Sequence, residues 1–306
     1  MQNNRSTKDF AFLVLKGMGM GAADVVPGVS GGTVAFISGI YEELISSINS
    51  ISPSLIHVWR KEGFAAVWKH INGSFLISVF GGIFISIFSL AKALSWLLEN
   101  HPVLVWSFFF GLVLASVIFV GKEIKKWSFL SIALFIAGAG VAFWITILPV
   151  SAEVDSLPYL FLSGALAVCA MILPGISGSF ILVLLGSYKA VLDAVHERKI
   201  AEVLTVGMGA VIGLLSFSRL LKWLFEHYRN STLALLTGFI LGSLNKIWPW
   251  KEVVESRVID DKVIPIREIN LFPEQFDGDP QLLGAVLLGI LGFSLIFILE
   301  RLAAKN

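Results

Sequence analysis

Charge is scarce in this sequence: Asp, Glu, Lys and Arg together make up 15% of its 306 residues, against roughly a quarter in ordinary soluble chains. A chain of this length that is 56% hydrophobic could not cover its apolar helices with so little polar surface, which excludes a solvated globular domain. An excess of one sign is also missing. The formal net charge is +1, so there is no basic surplus to track a nucleic-acid backbone. Cysteine occurs once, at Cys169 inside an apolar run, where it closes no intrachain disulfide, builds no metal cluster and reads as a small core residue. Histidine is rare and absent from the glycine-rich motifs, and no metal or cofactor is expected. A cleaved leader is not expected either: the apolar stretch "FAFLVL" is short, Lys16 ends it, and no small-residue cleavage site comes after it.

What the sequence does have is long apolar runs, at Gly73–Leu98, Val103–Val120, Phe129–Val150, Tyr159–Leu173, Leu204–Phe225, Leu233–Ile247 and Leu282–Leu299. Most are long enough to cross hydrocarbon, which predicts an all-α polytopic membrane protein. One interruption is repeated. "PGVSGG" at Pro27–Gly32 is answered by "PGISGS" at Pro174–Ser179, and the same register lays Gly39 on Gly186 and Tyr41 on Tyr188. Once an extra segment in the first half, Ser52–Ile71, is allowed for, Lys92 falls on Arg219, Trp96 on Trp223, Glu99 on Glu226, Gly111 on Gly238 and Ser116 on Ser243. The extra segment opens with Ser-Pro and mixes Leu55, Ile56, Trp59, Phe64, Val67 and Trp68 with Arg60, Lys61 and Lys69, which predicts a helix lying in the membrane interface.

The copies are separated by an odd number of apolar crossings if each Pro-Gly segment enters and leaves on one side, so the second copy is upside down. That is an inverted-topology repeat with Pro-Gly-broken re-entrant helices. The Lys-rich turn "GKEIKKW" (Gly121–Trp127) reads as cytoplasmic and "PVSAEVDSLP" (Pro149–Pro158) as external, which puts both termini in the cytoplasm. Lys189, Arg198 and Lys199 then fall outside, against the charge rule. The predicted organisation is one integral membrane domain over 1–306. It comprises repeat 1 over 10–120 with its interfacial helix at 52–71, a linking transmembrane helix over 127–150, repeat 2 over 157–247, an extramembrane loop over 250–280 and a C-terminal transmembrane helix over 281–302. In that loop "ESRVIDDKVIPIREIN" alternates like a hairpin turning near Asp260–Asp261, with its charges expected on a solvated face.

The chemistry of the repeated interruption is set by its residues. Pro27-Gly28 and Pro174-Gly175 remove backbone donors and admit unusual conformations, so each ends one half-helix before another begins. At the start of the second half-helix, Ser30, Gly31 and Gly32, and in the other copy Ser177, Gly178 and Ser179, offer N–H groups, a hydroxyl and the positive end of the helix dipole to an anion. Close helix packing is the alternative, and it is preferred for isolated glycines such as Gly81, Gly82 and Gly289. Lys92 and Arg219, equivalent in the repeat and embedded in apolar helices, are candidate phosphate ligands, with snorkelling as the alternative. Asp24 has Met171 as its counterpart, breaks the symmetry, and is a candidate coupling residue; capping a half-helix or neutralising Lys16 is the competing role. "GMGMGA" (Gly17–Ala22) lacks the Gly-Lys-Ser/Thr of a nucleotide loop.

The stretches "GMGMGAADVVPGVSGGTVAFISGIYEELI" (Gly17–Ile45) and "MILPGISGSFILVLLGSYKAVL" (Met171–Leu192) resemble the bacterial polyprenyl-phosphate transporters of the PopT type, long known only as a domain of unknown function. The resemblance spans nearly the whole chain. It implies a protein of the bacterial cytoplasmic membrane that returns undecaprenyl phosphate from the outer to the inner leaflet for reuse as a lipid carrier in peptidoglycan synthesis. The phosphate would then meet the Ser/Gly half-helices with Lys92 and Arg219, and the polyprenyl tail would stay among membrane lipids. Two alternatives remain: a membrane enzyme similar to the undecaprenyl-diphosphate phosphatases of the BacA type, and a small-anion carrier. The phosphatases carry an arginine directly after the motif serine and a glutamate-rich motif; here Gly31 and Gly178 follow the serines, and Glu42-Glu43 lack a further acid one turn on. A second copy of the chain, as a homodimer, is a candidate partner.

Overall fold

Ser6 starts the first helix with a reciprocal cap, its hydroxyl accepting the Asp9 N–H while the Asp9 carboxylate accepts the Ser6 N–H. This helix, α1 (Thr7–Val25), stops just before Pro27-Gly28. Those two residues lie outside the ones described, which are 5–26, 29–148, 150–151, 156–259 and 262–303 of this computed structural model. The chain resumes in two short helices, α2 (Gly31–Ile37) and α3 (Tyr41–Asn49), joined through Gly39 at φ +74°. The extra segment makes two helices, α4 (Leu55–Glu62) and α5 (Phe64–His70), where the sequence predicts one. Gly63, at φ +81°, turns the backbone between them. Among the described residues neither buries a side chain, and Ile56, Trp59 and Phe64 are exposed. Three long apolar helices come next: α6 (Gly73–Asn100), α7 (Pro102–Lys122) and α8 (Phe129–Ile147).

The second half repeats this series. After α9 (Leu157–Ile172) come α10 (Gly178–Leu184) and α11 (Tyr188–His196), which match α2 and α3 residue for residue in the sequence register, with Gly186 at φ +67° in the place of Gly39. The 44-residue α12 (Ile200–Ser243) stands for α6 and α7 together. It bends at Tyr228, whose φ/ψ of −135°/43° reproduce the −137°/50° of His101 between α6 and α7, its register equivalent. In the first half Pro102 stops the helical hydrogen bonding there; in the second that position is Arg229, and hydrogen bonding runs on. The antiparallel strands β1 (Lys251–Ile259) and β2 (Lys262–Asn270) form the expected hairpin, its turn residues Asp260 and Asp261 lying outside the described residues, and α13 (Leu282–Ala303) is the last described element.

Length and hydropathy qualify α6, α7, α8 and α12 as membrane spans, and α10 with α11, bent by 108°, as one broken or re-entrant span; Leu157–Ile172 and Leu282–Ile298 are shorter apolar helices. The fold is that of an all-α polytopic membrane protein.

Glycine sets the packing in both halves at equivalent positions. Gly17 of α1 lies on the Val79 backbone of α6 and Gly82 of α6 on the Val14 carbonyl; in the second half Gly164 lies on Val206 and Gly209 on the Phe161 carbonyl. A Cβ at any of the four would strike a main-chain carbonyl, so the backbones are in direct contact. The contacts advance along both helices together, from Arg5 over the Phe75 ring to Gly21 against Ile83 and Ser86, so α1 and α6 run in the same direction. The segment from α2 to α5 therefore brings the chain back to the side where α1 began. α7 packs against α13 at Gly111–Gly289 and Phe108–Gly292, while α8 packs against the last third of α12 at Phe135–Gly238 and Ala139–Gly242. Each half thus lends its last helix to the other.

Two polar ends frame these helices. At one, Glu43 accepts both guanidinium N–H groups of Arg5, at 2.7 and 2.6 Å, and the Asn72 amide at 2.8 Å. Beside it Arg229, at the bend of α12, pairs with Glu42 at 2.6 Å, and the Lys125 N–H donates to Asn230. At the other end the β-hairpin sits over the α10 side of the second half.

Candidate functional site: two interlocked helix breaks

The two helix breaks meet, Ser30–Thr33 of the first against Met171–Gly175 of the second. Ser30 is extended (φ −118°, ψ 130°) and its hydroxyl accepts the Gly32 N–H at 3.1 Å, which caps α2. The same hydroxyl lies 3.3 Å from the Met171 carbonyl and 3.2 Å from that of Leu173, just ahead of Pro174, and its single proton serves one of them at a time. In return the Gly175 N–H donates to Thr33 Oγ1 at 2.9 Å. Gly175 sits at φ +90° against Ser243 and the Phe239 carbonyl, and a Cβ on Gly32 would come 2.6 Å from the Ile172 carbonyl. Glycine is required at both points of closest approach. Thr33 is a contact that the repeat could not reveal, because its counterpart is Phe180.

The copies differ in what fills the helix start. Asp24 Oδ1 accepts the Gly31 N–H at 2.8 Å, so a carboxylate of the protein occupies the place an anion would take in the first copy. Lys16 is not its partner: the Lys16 ammonium donates to the Ser38 carbonyl at 2.7 Å, at the far end of α2. In the second copy Met171 replaces the acid. Ser177 is buried and shares a 2.9 Å hydrogen bond with Ser179, Gly178 is half-buried, and Ser179 is exposed. Among the described residues no side chain caps α10, so this half of the pair is open in that it lacks the side-chain acceptors that Asp24 and Ser30 give the first. Pro27 and Gly28 lie outside the described residues; Pro174 is buried beside Gly175.

Lys92 lies on α6, its side chain outside the described residues. Arg219 is exposed on α12, and among the described residues it has no hydrogen-bonding or ionic partner. α9 runs along α12 from Phe161 at Gly209 to Cys169, whose thiol reaches the Gly213 carbonyl at 3.5 Å, and Arg219 lies further along α12 in that direction. Cys169 is otherwise a packing residue, as expected. Gly82 and Gly289 pack on neighbouring helices, whereas Gly81 faces open space.

The hairpin corrects one expectation. Its charges are expected on a solvated face, but Lys251 and Glu268 are drawn into its base. Glu268 accepts from Lys246 at 2.8 Å and lies 3.8 Å from Lys251, while the Lys246 ammonium stands 4.8 Å over the Phe180 ring of α10 and that of Lys251 4.0 Å over the Trp106 ring of α7. Burial pushes the Lys251 ammonium down to about 8, with Lys246 adding to the shift and Glu268 opposing it. Burial pushes the Glu268 carboxyl up, but the two lysines outweigh it and hold the group below the usual carboxylate range. Nothing in the sequence signals this cluster, because Lys246 lies at the end of an apolar run while Lys251 and Glu268 are far apart in a mixed-charge loop.

The undecaprenyl phosphate translocase-like family model matches residues 20–263. A polyprenyl-phosphate transporter of Vibrio cholerae serotype O1 is 50% identical over 305 residues, covering 98% of this chain and 99% of the relative. A polyprenyl-phosphate transporter of Staphylococcus aureus is 32% identical over 254 residues, 77% of this chain and 85% of the relative. No solved structure matches the chain.

Proposed function

This chain belongs to the undecaprenyl phosphate translocase-like family, and from that premise we propose that it moves polyprenyl phosphate across the bacterial cytoplasmic membrane, taking undecaprenyl phosphate from the outer to the inner leaflet for carrier recycling. The interlock of the two helix breaks carries this reading. A phosphate headgroup cannot cross hydrocarbon unaided, and the interlock joins the two helix starts through polar groups, Ser30 to the Leu173 carbonyl and the Gly175 N–H to Thr33, between apolar helices. In the conformation described, the first helix start is satisfied from within by Asp24 and Ser30 while the second is open. Parting the turns would free the Ser30 hydroxyl proton and the Thr33 hydroxyl, and displacement of Asp24 would free the Gly31 N–H for the phosphate, with Arg219 and Lys92 as its counter-charges.

The parallel course of α1 with α6, and of α9 with α12, supports two re-entrant units of opposite orientation. The Lys122–Lys126 turn lies at the end that holds Arg5 and Arg229, which supports a cytoplasmic position for that end and for both termini. The phosphatase alternative finds little support. The adjacent carboxylates it would use, Glu42 and Glu43, are committed to Arg229 and to Arg5 with Asn72.

The test is reconstitution into vesicles containing undecaprenyl phosphate, with an added phosphatase that attacks only lipid exposed on the outside. The protein should make the inner-leaflet pool accessible, and Ser30→Ala with Ser177→Ala should slow that exchange. An inner pool that stays protected in vesicles containing the protein would overturn the translocase reading.

A further inference from the structure

The base of the β-hairpin holds an unusual ratio of charges. Among the described residues two ammonium groups, Lys246 and Lys251, are in ionic contact with one carboxylate, Glu268. The cluster has one cation too many for a site whose side chains are only 18%, 7% and 17% exposed. Lys251 is fully engaged: it donates to the Lys246 carbonyl at 2.5 Å, lies on Trp106 and sits within reach of Glu268. Lys246 is not. One of its three protons goes to Glu268, it stands over Phe180, and the rest of its donor capacity has no partner among the described residues. Phe180 directly follows Ser179 at the open start of α10, and the Pro174-Gly175 turn rests on Ser243, three residues before Lys246. The incompletely paired lysine therefore stands at the edge of the open copy of the site.

We propose that Lys246 is the docking residue for a phosphate monoester headgroup arriving on the hairpin side, and that Lys251 is the charge that keeps Glu268 paired when Lys246 turns to the phosphate. This rests on the translocase reading and adds to it the point of capture, upstream of the interlocked turns. Glu268 is then a competitor for Lys246 as well as its holder. Removing it should free the lysine for the ligand, whereas in a purely structural cluster removing either partner damages the same contact.

The experiment measures binding of farnesyl phosphate, and of farnesol as the same tail without phosphate, to the purified full chain in detergent micelles. Wild type should prefer the phosphate. Lys246→Gln should weaken farnesyl phosphate about tenfold without altering farnesol, the size of one lost charge-assisted hydrogen bond. Lys246→Arg should stay within about twofold of wild type, and Glu268→Gln should tighten binding several-fold. Opposite signs for Lys246→Gln and Glu268→Gln support the proposal. Weakening in both, or no change in Lys246→Gln, overturns it while the translocase reading stands, and a misfolded Lys246→Gln leaves the Glu268→Gln gain to decide. A wild type that binds farnesol as well as farnesyl phosphate defeats the phosphate reading itself. Displacement by inorganic phosphate at equal concentration identifies a free-phosphate site and overturns docking of a lipid headgroup.

Discussion

Asp24 and Met171 occupy the same position in the two copies, yet one carboxylate oxygen makes the first copy closed and the second open. Asn keeps that oxygen and drops the charge; Ala drops both. Asp24→Asn should therefore unfold at close to the wild-type temperature, whereas Asp24→Ala should lose about 1 kcal/mol, a typical helix-cap contribution. If Asp24 couples transport to protons, Asp24→Asn will flip lipid at a rate that an imposed pH gradient across the vesicle no longer changes. A gradient response equal to wild type would leave Asp24 as a cap alone. The residues of the Pro-Gly-x-Ser turns were legible because proline, glycine and serine act locally. That Ser30 reaches the carbonyls before Pro174, or that Thr33 takes the Gly175 N–H, was not, since those partners meet only after folding. Lys246, Lys251 and Glu268 were missed for the same reason: a lysine at the end of an apolar run and two charges in a loop read as solvated until packing brings them together.

Helices were the most legible elements, because apolar runs this long leave little choice. Their interruptions were less so. Leu204–Phe225 and Leu233–Ile247 are two runs separated by polar residues, and a loop is the natural reading, yet one residue, Tyr228, takes up the whole bend. The predicted interfacial helix failed as a single element at Gly63, where a positive φ costs glycine least. Glycines inside helices were ambiguous in the sequence, and space decides between them. Gly82→Ala would drive a methyl group into the Val14 carbonyl, while Gly81→Ala meets open space and gains helix propensity. Gly81→Ala should be neutral or stabilising by up to about 1 kcal/mol, and Gly82→Ala should be clearly destabilising. Thermal unfolding in detergent measures both. Equal effects would mean that α1 and α6 do not touch where the glycine contacts put them.

At the scale of the whole molecule the two polar ends should face opposite compartments. In a Cys169→Ser chain, Lys125→Cys should react with a membrane-impermeant thiol reagent only from the cytoplasmic side and Glu274→Cys only from the outside. Labelling of both from one side would contradict the inverted repeat. The repeat was legible in the register of its residues; the exchange of α8 and α13 between the halves was not, because it concerns which helix packs where and leaves no mark on spacing. That exchange also bears on how the protein is made. The ribosome delivers α7 early, with the Gly111 stripe that receives α13, and releases α13 last of all the described elements. Until α13 is made, the α7 surface at Gly111 would have no helix on it, so the first half should reach its final packing only after α13 emerges. A chain cut short before Leu282 would keep both helix breaks and every residue of the interlocked turns, yet leave that stripe without its partner for quality-control proteases to find.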